Sequence, residues 1–236
     1  DPENPIDNIW AGRRNGNANN NWPRILMADY SFSQKHHLNV SGGNEKTQYY
    51  VAGSYDHQDG MYEYGTDFYK RYTFTSNVSS QITDWLTFKP SVKYTNTYNN
   101  YPLGETTVGR EHQFREMIKF APMMPFYNLN GTIQSPLVRQ QQGTGREKIK
   151  RNNFMIQLAA EFEPIQGWKT NVSYNFNYLA NRTAINPKPI PVELGTGEFG
   201  NIGKPNTGYS TSMYESEVQL ANIVSSYEYE VDGHYF

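Results

Sequence analysis

Leu86-Thr-Phe-Lys-Pro-Ser-Val-Lys-Tyr-Thr95 decides how this chain folds. Leu86, Phe88, Pro90, Val92 and Tyr94 share one parity, and Thr87, Lys89, Ser91, Lys93 and Thr95 the other. Residues two apart in a helix point to nearly opposite sides. Only an extended strand sorts these side chains into one apolar and one polar face. The same parity runs through Phe68–Val78, Phe154–Glu163 and Trp168–Ala180. With Tyr, Pro and Ala counted as apolar, 20 of the 23 even positions of the four segments are apolar, against 4 of the 21 odd ones.

These runs are 10 to 13 residues long. Globular strands usually have about 5–6 residues, whereas a tilted bilayer crossing takes about 9–11. Three weaker strands join them. His36–Ser41 turns Leu38 and Val40 outward, and Gln48–His57 does the same with Tyr49, Val51 and Tyr55. Glu217–Val231 begins with Val218 and Leu220 on one parity and continues with Ile223, Tyr227, Tyr229 and Val231 on the other, which predicts a bulge near Asn222. Tyr235–Phe236 would open an eighth strand. The expected fold is all-β: an antiparallel transmembrane barrel wall of about seven strands, with one short helix in a long exterior loop.

The connections alternate in length. Short turns fall at Gly42–Lys46, Thr83–Asp84, Gln166–Gly167 and Asp232–Gly233, and longer loops at Gln58–Asp67, Asn99–Arg151 and Thr183–Met213. Short periplasmic turns and long exterior loops are the build of outer-membrane barrels, and Trp85 and Trp168 beside short turns suit a lower aromatic girdle. In the longest loop, Phe114, Met117, Ile118 and Ala121 are spaced for a helix that Pro122 ends.

Composition agrees. The formal charge of −2 gives no basic excess that would call for nucleic acid. No run approaches the roughly 18 apolar residues of a membrane helix, and a barrel does not need one. Aromatics reach 15%, as interfacial girdles require, and the absence of cysteine excludes disulfides and thiolate metal sites. Asp1–Asp7 is acidic and Pro-bearing, without the apolar segment of a secretory signal.

No catalytic constellation stands out: there is no nucleophile elbow, P-loop or dinucleotide fingerprint. The chain is read as no enzyme, with no cofactor and no metal. Asn39, Asn77, Asn130, Asn171 and Asn181 each begin a glycosylation sequon. The strand copies at Asn39, Asn77 and Asn171 are better read as Asn and Ser lining a wet lumen. His36-His37 and the His112/Glu116 pair offer two ligands each, short of the three or four that zinc takes. Glu161 and Glu163 read as solvated lumen groups, and Gln140–Lys150 as a solvated polar loop. Tyr98 and Tyr101, at the top of a strand, suit either an interfacial girdle or stacking on a substrate.

His37-Leu-Asn-Val-Ser-Gly-Gly-Asn-Glu-Lys-Thr-Gln-Tyr-Tyr-Val51 resembles the strand–turn–strand segment of the SusC/RagA family of TonB-dependent outer-membrane transporters. Asp59-Gly60, Tyr69-Lys-Arg-Tyr-Thr-Phe74 with Asn77, Ile82-Thr-Asp-Trp-Leu86 and Gly233-His234 are similar to later family segments. The resemblance is densest over residues 36–95 and covers about half the chain. It implies a 22-stranded barrel with a plugged lumen, of which residues 1–236 would be a partial β-barrel domain lacking the plug and the remaining strands. It further implies uptake of oligosaccharide or peptide under a SusD-like surface lipoprotein, TonB as the energy-coupling partner, outer-membrane lipid around the wall, and location in the bacterial outer membrane. Arg71, Lys89, Lys93, Lys169, Asn175 and Asn177 would line the lumen. The alternatives are a small complete barrel acting as anchor or adhesin, and a soluble carbohydrate-binding β-protein.

Overall fold

The computed structural model describes residues 9–10, 13–14, 18–103, 110–128, 131–143, 145–193, 198–202, 208–228, 230–231 and 234–235. In chain order the elements are β1 (Ile9–Trp10), β2 (Arg13–Arg14), α1 (Trp22–Leu26), β3 (Ser33–Gly43), β4 (Thr47–Asp59) and β5 (Phe68–Thr83). They continue with β6 (Leu86–Phe88), β7 (Ser91–Pro102), α2 (Arg110–Lys119), α3 (Pro136–Gly143), β8 (Gly145–Ile165) and β9 (Trp168–Pro187). β10 (Ile190–Glu193), β11 (Phe199–Ile202), β12 (Ser210–Tyr227), β13 (Glu230–Val231) and β14 (His234–Tyr235) complete them.

One antiparallel sheet dominates, in the order β12-β9-β8-β6-β5-β4-β3, with β7 between β5 and β8. β6 and β7 lie on one path, broken where Pro90 has no N–H to give. Hydrogen bonds continue on both sides of the break: Lys89 donates to the Ala159 carbonyl at 2.7 Å, and the Pro90 carbonyl accepts from Val78 at 3.0 Å. The sheet thus follows seven paths, the number the alternation predicts.

The registers put the predicted apolar positions on one face. Leu38 pairs with Gly53, Gly53 with Phe74, Phe74 with Tyr94, Tyr94 with Phe154 and Phe154 with Tyr178. Paired residues project to the same side of a sheet, so this face is apolar across six paths. Among the described residues no second layer covers it, and Leu38 stays 75% exposed and Leu158 42%. A face of this extent in water would be an aggregation surface. Against lipid it needs no cover.

β12 departs from expectation. Its register with β9 runs without a shift from Ser210 to Tyr227, so there is no bulge near Asn222. Ala221, Ile223 and Tyr227 join the apolar face, while Val218 and Leu220 sit opposite Asn177 and Asn175 on the polar one. Register shifts occur instead beside two of the short turns, between Gln81 and Thr83 and between Phe162 and Ile165. Gly167 takes φ +86° in the β8–β9 turn, where a Cβ would lie 2.2 Å from the Glu228 carbonyl oxygen. In the first turn, the Asn44 carboxamide accepts from the Lys46 and Thr47 amides at 2.9 and 2.8 Å. The predicted Asp232–Gly233 turn lies outside the described residues, as do Asn130 and Phe236.

Buried hydrophobic residues gather in the loops at the other end. Trp22, Leu26, Met117, Met124, Leu137 and Val138 form a closed cluster. Trp22 meets Phe120 edge-on at 4.9 Å and donates its indole N–H to the Ala121 carbonyl at 2.9 Å. The predicted helix is α2, but it buries Met117 alone of its apolar residues, leaving Phe114 and Ile118 mostly exposed. A second helix, α3, was not expected. It carries Gln141, assigned by sequence to a solvated loop, into the cap, where its amide donates to the Leu26 carbonyl at 3.2 Å.

Candidate functional site

The face opposite the apolar one is the candidate site. Its upper row pairs Lys35 with Asp56, Asp56 with Arg71, Arg71 with Thr97, Thr97 with Arg151 and Arg151 with Asn181. Asp56 is held between two cations, 3.0 Å from Arg71 and 3.8 Å from Lys35. Lower down, Lys89 donates to Glu161 at 2.6 Å and Ser91 to Asn77 at 2.6 Å. Lys93 pairs with Met155, and Met155 with Asn177. Asn175 pairs with Gln157, and Lys169 lies one residue along from Trp168 on the same polar parity. All six residues assigned to the lumen by alternation therefore fall on this one face: Arg71, Lys89, Lys93, Lys169, Asn175 and Asn177. Asn39, Asn77 and Asn171 share it too, with Asn39 opposite Ala52, Asn77 opposite Ser91 and Asn171 opposite Glu161.

Alternation missed further members because they lie above the periodic segments. Asn153 and Asn181 face the same way, and their carboxamide oxygens, like that of Asn177, are shielded without a hydrogen-bond donor from the described residues. Extending the odd parity of β8 and β9 upward would have found both. Among the described residues, Glu161 is committed to Lys89, and the Glu163 carboxylate accepts weakly from the Gly167 amide at 3.4 Å.

Tyr98 and Tyr101 are not brought together. Tyr101 is on the inner parity and donates its hydroxyl to Asn99 at 2.8 Å. Tyr98 is on the outer parity, between Lys70 and Lys150, with its ring 5.5 Å from that of Phe68. A single substrate subsite cannot use both. His36 and His37 likewise project to opposite faces of β3 and cannot share a ligand, and among the described residues no cluster of three metal-ligating side chains forms. Trp85 and Trp168 stand at the short-turn end, half exposed, with Trp85 stacked on Phe162 at 6.3 Å. Between β4 and β5, the Gly60 amide donates to the Asp67 carbonyl at 2.7 Å, and burial pushes the Asp67 carboxyl above the usual carboxylate range.

Strands of 11 to 21 residues, an apolar outer face, a polar inner face and short turns below long loops define the wall of a transmembrane β-barrel. In sequence it is similar to a TonB-dependent receptor, and in fold to the barrels of solved outer-membrane importers. TonB-dependent receptor P3 of Formosa agariphila is 26% identical over 200 residues, covering 78% of this chain and 19% of that protein. Among solved structures, the RagAB peptide importer in its closed-closed state matches with a TM-score of 0.69 at 15% identity, over 95% of this chain and 25% of the other. The RagAB peptide transporter matches with a TM-score of 0.70 at 16% identity, over 92% and 24%. The chain thus spans about a fifth to a quarter of the proteins it resembles, none of which is named as an enzyme. No protein-family model matches it.

Proposed function

We propose that residues 1–236 form part of the wall of an outer-membrane transporter that imports oligosaccharide or peptide, with energy from TonB and a SusD-like lipoprotein as its lid. The observation that carries the reading is the division of one sheet into an apolar face and a face of amides and paired charges. Such a wall lets a hydrated solute pass on one side while lipid seals the other. Arg71, Lys89, Lys93, Lys169, Asn175 and Asn177 act in permeation and in contact with the plug, and no residue performs covalent chemistry. RagAB, the solved relative, is described as a peptide importer, which favours peptide among the two cargo classes. Its two-component name supports a surface partner here.

The test uses the intact protein in its own cells. Pull-down should bring a surface lipoprotein with it, and uptake of a labelled peptide mixture should cease when the proton gradient is dissipated. Uptake that survives without the gradient, or a protein that purifies with no lipoprotein, would overturn the reading.

A further inference from the structure

The apolar face does not end in bare polar backbone. Two outward rows above Leu38 and Phe154, past the row of His36, Tyr72 and Asn152, Gln34 pairs with His57, His57 with Lys70, Lys70 with Tyr98, Tyr98 with Lys150, and Lys150 with Arg182. The cations stand at nearly one height. Lys70 is 13 residues above Thr83, Lys150 is 15 above Ile165, and Arg182 is 14 above Trp168, counted from the strand ends at the short turns. A crossing uses about 9–11 residues, so all three lie just beyond the hydrocarbon, at headgroup level.

Among the described residues no carboxylate forms an ion pair with Lys70, Lys150 or Arg182, although Arg182 also meets the Tyr209 hydroxyl. The outer face also carries carboxylates near this row: Asp59 is bonded to His57 at 2.8 Å, and Glu215 and Glu217 lie opposite Ala180 and Tyr178, with Glu215 engaged by the Tyr178 hydroxyl. Lys70 rests over the Phe68 ring at 4.8 Å, and Lys150 and Arg182 are exposed. On β5 the inner-face neighbour of Lys70, Arg71, is paired with Asp56.

Directly below Lys70, the same face carries an apolar slot. Gly53 leaves a gap between Leu38, Tyr55, Tyr72 and Phe74, a depression of about 420 Å³. A Cβ at Gly53 would meet nothing nearer than the Thr73 carbonyl oxygen at 4.0 Å. Tyr72 forms the upper wall of the slot, and the next outward residue on its strand is Lys70.

From these two features we infer that the outer face is a binding site for phosphorylated lipid of the outer leaflet. One acyl chain lies in the Gly53 slot, and headgroup phosphates are held by Lys70, Lys150 and Arg182. Basic residues grouped at headgroup level are the chemistry by which membrane proteins select anionic lipids. The slot supplies what free phosphate lacks. The inference rests on the apolar face meeting lipid, and not on the cargo or on TonB.

The test takes the intact transporter, purified in non-ionic detergent and loaded with lipid A, and counts the lipid retained by native mass spectrometry. Lys70→Gln/Lys150→Gln/Arg182→Gln should weaken retention by roughly a hundredfold, three cations acting together. Gly53→Phe, with every cation in place, should weaken it as well. Lys93→Gln/Lys169→Gln on the inner face should leave it unchanged, and heat-modifiable migration checks that each variant is folded. Equal retention by the folded outer triple variant and the unaltered protein would overturn the proposal. So would displacement of lipid A by millimolar inorganic phosphate, which would reduce the site to a charge patch. Loss of lipid in the inner-face pair alone would instead show that the two faces had been assigned the wrong way round.

Discussion

Placing a cation at Leu158 tests the facing of the wall where the penalty is largest. On β8 the outward apolar positions are Phe154, Ile156, Leu158, Ala160 and Phe162, and Leu158 is the middle one. Four residues separate it from either end, about 13 Å along the strand at ~3.3 Å per residue. A tilt of about 40° reduces this to ~10 Å of depth on each side, close to half of an apolar band about 25 Å tall. Leu158 therefore sits at the bilayer midplane, where an arginine costs about 2–4 kcal/mol. That is roughly a 30- to 900-fold loss in the folding equilibrium. Gln157, one residue away, projects to the inner face opposite Ser91 and Asn175. Arginine there meets polar neighbours, and its cost should stay within about 0.5 kcal/mol. The assay is denaturant unfolding of the intact protein in short-chain phosphatidylcholine vesicles, followed by heat-modifiable migration. Equal costs for Leu158→Arg and Gln157→Arg, or a larger one for Gln157→Arg, would refute the assignment of faces.

Three further outcomes are expected. On intact cells, a cysteine replacing Gly131 should be labelled by a membrane-impermeant maleimide and one replacing Asp84 should not; the reverse pattern would invert the barrel. Trp22→Ala should remove about 3–5 kcal/mol of packing from the loop cluster, so that protease cuts the cap sooner while heat-modifiable migration of the wall persists; simultaneous loss of both would show that the cap and wall fold as one unit. The Asp67 carboxyl, raised by burial, contributes stability that is full below its unfolded pKa and is lost as pH rises through the folded value. Protease resistance of the Gly60–Asp67 loop should accordingly decline from acid toward neutral pH, and Asp67→Asn should abolish that decline.

The sequence was most legible where the two faces of a strand meet different solvents. Phe154 to Phe162 alternate because lipid selects one parity and water the other, and the registers of β5, β7, β8 and β9 bring their even positions together as that logic requires. Above the membrane both faces are wet, and the signal disappears although the backbone pairing does not. β8 therefore begins at Gly145 and β9 runs on to Pro187, well beyond the segments that alternate. Lys150 and Arg182 were hidden for the same reason, whereas Lys70 stands inside an alternating run as one of its few polar even positions. Tyr98 reads by sequence as suiting either an interfacial girdle or stacking on a substrate, and its outward parity agrees with the girdle. In β12, Val218 and Leu220 face inward, so apolar character and outward direction part company. α3 was invisible because Leu137 and Val138 are adjacent and form no helical stripe.

The molecule is held together in two ways, and they come apart at the membrane surface. The cap has a core in the ordinary sense, with Trp22 and Leu26 almost wholly enclosed, and it draws stability from apolar burial in water. The wall has almost no enclosed side chains. Its order comes from the backbone ladder and from lipid against its outer face, where an unpaired N–H or C=O would cost several kcal/mol. That demand is met inside the sheet but not at its margins. Among the described residues β3 pairs only with β4, and β12 only with β9, which leaves long open edges at hydrocarbon depth. A barrel solves this by closure, and the cap, packed around Trp22, needs no such closure. Rearrangement of the wall cannot happen without exposing ladder bonds to lipid.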